Sequence, residues 1–449
     1  MMNFFKSDKP SCLQGQVVKK RKRYKLKKQK IFSYLAFISC FFVPAFIAIY
    51  YFGFHNPSNS VKKLIVQTNI KKEAPKPRMN IKALGSLEKF PPVKLLVNLK
   101  DNSFLLTKIP SFDEELYKTE KSLKAVSRAG NIVFFSLDPE LQSYTTSILE
   151  QAEVPHVALV ALEPKTGRVV AMDGLSDIPN FELYAGLPAA SLFKIVTATA
   201  ALEAGVLRAD SRIAYRGSDY ILNKYNYAPS GKLDKRHMSL SDALGKSCNP
   251  VFGRVALKYL NQATLMNYAN RFGFNEELPF DMIQPSSEAN IPEGDYELSR
   301  TGAGFGDVRI SPLHAAMIMA GVANKGVIPK PYMISRVVAP TGEILYKSKP
   351  QVLQEVMNKG TADELLKMMA KTTTSGTSKK YFRNFEIPVS AKTGTLNGDN
   401  PKGLTNWFIA SAPSNDPQIA VAIVIVHNGK FMKTASQLGR MFLDKYFKE

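Results

Sequence analysis

Ser191-Leu192-Phe193-Lys194, Ser247-Cys248-Asn249 and Lys392-Thr393-Gly394 follow one another in that order along the chain. Together they supply a hydroxyl nucleophile, a lysine base, a second serine–lysine pair and a cation suited to a carboxylate. That set can make and break an acyl-serine bond. A serine hydroxyl is a poor nucleophile at neutral pH and needs a base within hydrogen-bond reach. Lys194 serves as that base only when neutral, and burial and the nearby charge of Lys392 would both lower its pKa. Ser247 and Lys392 would pass a proton to a departing amine. Asn249 would hold Lys194 and bond the substrate amide. Lys392, Thr393 and Thr395 would bind a terminal carboxylate. The N–H groups of Ser191 and Thr395 would form an oxyanion hole.

The elements that must position these groups are readable around them. Ser191 follows Pro188-Ala189-Ala190 and opens the run Leu192–Ala204, apolar at helical spacing at Leu192, Ile195, Val196 and Leu202. Lys194, three residues on, falls on the same face of that predicted helix. Ser247-Cys248-Asn249 follows the helical stretch Leu240–Gly245 and precedes Pro250, so it reads as a loop between helices. Lys392-Thr393-Gly394-Thr395 ends a short strand-like run, Ile387–Ala391, and Gly394 would let a substrate backbone approach closely.

Each motif also has a lookalike. Ser-x-x-Lys recurs at Ser60 and Lys63 and at Ser86 and Lys89. Lys165-Thr166-Gly167 separates two apolar runs and reads as a hairpin turn. Tyr268-Ala269-Asn270 lies in the amphipathic stretch Ala263–Phe272 and reads as helix surface. Order, separation and setting therefore carry the signal.

As a set, the motifs resemble the active site of the penicillin-binding proteins and serine β-lactamases. The resemblance runs over roughly Ser136 to Val426. It takes in Ser136-Leu137-Asp138-Pro139-Glu140, the glycine turn Gly304-Phe305-Gly306 before Ile310-Ser311-Pro312, Asn406-Trp407-Phe408-Ile409-Ala410 and the strand Ile419–Val426. It implies an α+β fold, an antiparallel sheet flanked by helices, with Ser191 at the foot of a central helix and Lys392 on an edge strand. It also implies a D-Ala-D-Ala peptidoglycan stem peptide as substrate. Ser191 would attack the penultimate carbonyl, release D-alanine and pass the acyl group to a neighbouring amine. β-Lactam antibiotics would acylate the same serine. Cys248 and Phe305 depart from the common pattern.

The chain has 449 residues, 45 % of them apolar, and a net charge of +22. Residues 1–30 hold 11 Lys/Arg against one Asp, whereas residues 138–449 hold 34 basic against 30 acidic side chains. So uneven a balance argues against nucleic-acid binding. Residues 31–54 carry no charged side chain and directly follow the basic tail. That pattern predicts one N-terminal transmembrane helix, with residues 1–30 cytoplasmic and everything after residue 54 on the outer face of the bacterial cytoplasmic membrane. Residues 55–135 are expected to be a linker or small module, with Lys71–Pro77 as a charged tether and Phe112–Ser127 as a helix. Residues 136–449 would be the transpeptidase domain. Only Cys248 of the three cysteines falls in the exported part, which excludes an internal disulfide there. The five histidines show no metal-ligand spacing, so no metal or cofactor is expected.

Two hydrolytic readings compete: a D,D-carboxypeptidase and a membrane-anchored β-lactamase. No Glu-x-x-Leu-Asn segment supplies the water-activating base of one β-lactamase class. A non-catalytic sensor or scaffold is the rival of another class. Thirty cytoplasmic residues are too few for a signalling domain, and a scaffold would be expected to lose one motif. A transpeptidase also implies a source of nascent glycan, such as a polymerase partner.

Overall fold

The frame of the molecule is a five-stranded antiparallel sheet whose central strands are apolar on both faces. The computed structural model describes residues 122–127, 130–429 and 433–448, together with the backbone of three short strands, Leu95–Asn98, Ser103–Leu106 and Leu116–Thr119. The expected transmembrane segment, residues 31–54, lies outside the described residues. No helix among the described residues is long and apolar enough to cross a membrane.

Helix α1 (Pro139–Glu150) leads into the sheet. Asp138 caps it by accepting the Glu140 and Leu141 N–H groups at 3.0 Å each, and Pro139 loses nothing at a position where its N–H would be unpaired. The hairpin β1 (His156–Leu162) and β2 (Val169–Leu175) follows. A helical region comes next: α2 (Lys194–Glu203), α3 (Leu240–Gly245), α4 (Asn249–Tyr259), α5 (Gln262–Arg271), α6 (Asp295–Gly302), α7 (Pro312–Ala323) and α8 (Lys359–Thr374). The chain then returns to the sheet as β3 (Ser390–Asp399), β4 (Lys402–Ala412) and β5 (Ile419–His427), and closes with α9 (Ala435–Lys448).

The strand order is β3-β4-β5-β1-β2, every pair antiparallel, so β3 is an edge. Period-two alternation divides the side chains between two cores. Ala420, Ala422, Val424 and Val426 of β5 face a large core with α2 and α7, whereas Ile419, Val421, Ile423 and Ile425 face Leu141, Ile148, Leu438 and Phe442 of α1 and α9. Every residue of α7 is buried. A helix apolar all round belongs between layers, and α7 packs against the sheet on one side and α8 on another.

Residues 112–127 differ from expectation. Leu116–Thr119 and Ser122–Val126 are strands, not a helix, and Leu123 and Ala125 alternate inward at the strand period. They continue into Ile132–Phe135, which pairs with Ile334–Val338 far along the chain. This second sheet therefore crosses the boundary expected at residue 136.

Candidate active site

Ser191 sits in a 3₁₀ turn, Ala190–Phe193, that runs directly into α2. The turn matters because 3₁₀ geometry eclipses side chains at i and i+3. It stacks the Ser191 hydroxyl on the Lys194 amine, with Oγ and Nζ 2.7 Å apart. Ala190, just before Ser191, has φ +50°, and Ser247 has φ +59°. Such backbones cost about 1–3 kcal/mol each and survive only where surrounding contacts hold them. One such contact is Gly304, at φ +91°, where an added Cβ would lie 2.2 Å from the Ala190 carbonyl oxygen.

Lys194 is fully buried, and its surroundings define its proton state. Nζ also lies 2.7 Å from Asn249 Oδ1 and 2.5 Å from the Ala303 carbonyl oxygen. Both oxygens only accept, so a neutral amine gives them its two N–H bonds. The remaining lone pair then faces Ser191 Oγ, as a base requires. Burial pushes the Lys194 pKa down to about 7. The Asn249 carboxamide is fixed in turn by donating Nδ2–H to the Tyr220 carbonyl at 2.6 Å. Asn249 opens α4 as its first helical residue, so of the motif only Ser247 and Cys248 lie in the loop between helices. Cys248 is buried and its thiol is pushed up to about 11, chiefly by burial, which leaves it unreactive.

The second pair forms independently. Lys392 Nζ donates to Ser247 Oγ at 2.9 Å and to the Thr393 carbonyl at 2.7 Å. Its pKa lies well below the usual lysine value, through burial first and then the charge of Lys194. The Lys392-Thr393-Gly394-Thr395 motif does not end a strand. It lies inside the ten-residue β3, with Lys392 opposite Ile409 and Thr395 opposite Asn406. An edge strand needs only one packed partner, so polar Thr-Gly-Thr-Leu-Asn can continue it.

The structure brings all eight expected residues to one place but gives them unequal access. Ser191, Ser247, Asn249, Thr393 and Thr395 line a cleft of about 450 Å³. Lys194 and Lys392 lie behind its wall, each 0 % exposed. Gly394 faces inward, where a Cβ would sit 3.3 Å from Ala190 and from Trp407. Its lack of a side chain lets β3 close on the turn that carries Ser191. Trp407 completes the clamp by donating Nε1–H to the Pro188 carbonyl at 2.9 Å.

Residues 157–443 match the family model described as the penicillin binding protein transpeptidase domain. The chain belongs to this family. The chain is 28 % identical over 346 residues to the peptidoglycan D,D-transpeptidase PbpA of Mycobacterium tuberculosis, covering 67 % of this chain and 68 % of that protein. It is 27 % identical over 309 residues to PbpA of Mycolicibacterium smegmatis, covering 61 % of this chain but only 62 % of that relative. Among solved structures, penicillin-binding protein A from M. tuberculosis as its penicillin G acyl-enzyme complex shares the fold. The TM-score is 0.58 at 25 % identity, covering 72 % of this chain and 81 % of that one.

Two of the lookalikes fall where ordinary structure needs them, and those at Ser60 and Ser86 lie outside the described residues. Lys165-Thr166-Gly167 forms the turn between β1 and β2, with Gly167 at φ +76°. Tyr268-Ala269-Asn270 lies on α5, although Tyr268 and Ala269 are buried, not on its surface. Three site features carry no sequence signal of their own. The Ala303 carbonyl is backbone. Thr377, whose Oγ1 lies 2.6 Å from Thr393 Oγ1, is 16 residues away. Tyr220 reaches the cleft from a loop.

Proposed function

We propose that the protein is a peptidoglycan D,D-transpeptidase that cross-links stem peptides through an acyl-Ser191 intermediate and is inhibited by β-lactams. The carrying observation is the buried lysine network, with the Lys194 lone pair aimed at Ser191 and a separate Ser247–Lys392 pair across the cleft. Lys194 takes the hydroxyl proton as Oγ attacks the penultimate carbonyl. The N–H groups of Ser191 and Thr395 receive the developing oxyanion. The C–N bond then breaks, and the departing D-alanine amine takes a proton through Ser247 and Lys392. An amine of a neighbouring stem attacks the ester, loses its proton and returns Ser191 to its hydroxyl form.

Hydrolysis requires a base for water. Among the described residues lining the cleft there is no Asp or Glu, which favours transfer over a Glu-driven β-lactamase reaction. Residues 31–54 would anchor the enzyme and place this site on the outer face of the cytoplasmic membrane, where a glycan polymerase would supply nascent strands.

A fluorescent penicillin tests the assignment. The purified full-length chain is expected to become covalently labelled and Ser191→Ala to lose the label entirely; labelling of the variant would refute the nucleophile. Adduct clearance within seconds would instead mark a β-lactamase. D-alanine release without transfer to any acceptor amine would mark a carboxypeptidase.

A further inference from the structure

Resting on the transpeptidase reading, we infer that Lys380 is the cation that receives the substrate's terminal carboxylate. The sequence points to Lys392 for that task, but the fold withdraws it. Lys392 is 0 % exposed, is absent from the cleft wall and gives its hydrogen bonds to Ser247 and Thr393. Lys194 is equally buried and committed. An anionic chain end entering the cleft meets neither ammonium directly.

Lys380 is the one cationic side chain among the described residues that line the cleft. It is exposed, and among the described residues no acid pairs with it. Its ammonium lies 4.6 Å from the ring centroid of Tyr381, another cleft residue. That contact holds the flexible stem beside the opening and leaves N–H donors for an anion. The segment carrying it is tied to the substrate strand, because Thr377, three residues earlier, bonds the Thr393 hydroxyl. Thr393 and Thr395 thus offer hydroxyl donors to a carboxylate, and Lys380 supplies the charge. A charge-assisted hydrogen bond is about twice as strong as a neutral one.

The test compares acylation of the full-length chain by benzylpenicillin and by its methyl ester, which removes the carboxylate charge. Lys380→Met is expected to slow acylation by the acid about tenfold and leave the ester rate nearly unchanged. Lys380→Arg should retain most of the acid rate. Lys380→Glu should make the ester the faster reagent. Equal slowing of acid and ester in Lys380→Met, or no slowing of either, would overturn the assignment. A wild-type chain acylated by neither compound would overturn the transpeptidase reading itself.

Discussion

Lys165-Thr166-Gly167 and Lys392-Thr393-Gly394 are the same three residues in two settings. In the first, Lys165 is two-thirds exposed and pairs with Asp416 at 3.2 Å across open surface. Thr166 bonds Glu163 at 2.7 Å, and Gly167 supplies the left-handed backbone of a hairpin turn. In the second, Lys392 is sealed from water, its pKa is lowered, Thr393 faces a cleft and Gly394 makes room for the turn that carries Ser191. An exposed lysine is a surface charge. A buried one beside a serine is a proton-transfer group. The chemistry therefore resides in the edge strand and the layers behind it, and the triplet acquires it by position.

The lysines give the largest expected contrast. Lys392→Met keeps most of the buried volume but removes the amine proposed to relay the proton. Penicillin acylation is expected to fall by about 100-fold or more, with a circular dichroism spectrum like the wild type's. Lys165→Ala should stay within about twofold, and its exposed pair is worth at most about 1 kcal/mol of stability. Similar losses in both variants would break the comparison.

The glycines give a smaller effect, split between stability and rate. At Gly167 a Cβ would lie 2.1 Å from the Lys330 carbonyl oxygen at a positive φ. Gly167→Ala is expected to lower Tm by several degrees, reflecting about 2 kcal/mol or more of strain, and leave the acylation rate of the folded protein unchanged. At Gly394 the nearest atoms are 3.3 Å away and φ is ordinary. Gly394→Ala should barely move Tm but slow acylation several-fold, because the displaced neighbour is the turn holding Ser191. Thermal melts alongside acylation kinetics separate the two outcomes, and the reverse pattern would contradict the packing account.

Side chains announced much of the site, and backbone concealed the rest. The Ser191–Lys194 spacing, the helix behind it, the edge position of Lys392 and the antiparallel frame were all readable from the residues or the family resemblance they carry. The base's environment was less so. The Ala303 carbonyl that takes a Lys194 hydrogen bond has no residue type to betray it. The spacing of charges points to Lys392 as a second cause of a neutral Lys194, whereas burial is the cause that lowers its pKa. An apolar-run criterion makes strand β3 too short, because edge pairing tolerates polar residues that it rejects. Residues 112–127 read as a helix from the residues alone because their alternation is brief, and the sheet that holds them is completed through Ile132–Phe135 by Ile334–Val338, about 200 residues away.

The account turns on Lys194 being neutral at working pH. The most direct measurement is the pH dependence of the second-order rate of Ser191 acylation by benzylpenicillin, whose carboxylate stays ionised throughout. A base acts when deprotonated, so the rate should rise with pH through a midpoint of about 7 and then level. A rate still climbing towards pH 10, as an ordinary lysine would give, or one indifferent to pH across that range, would contradict it.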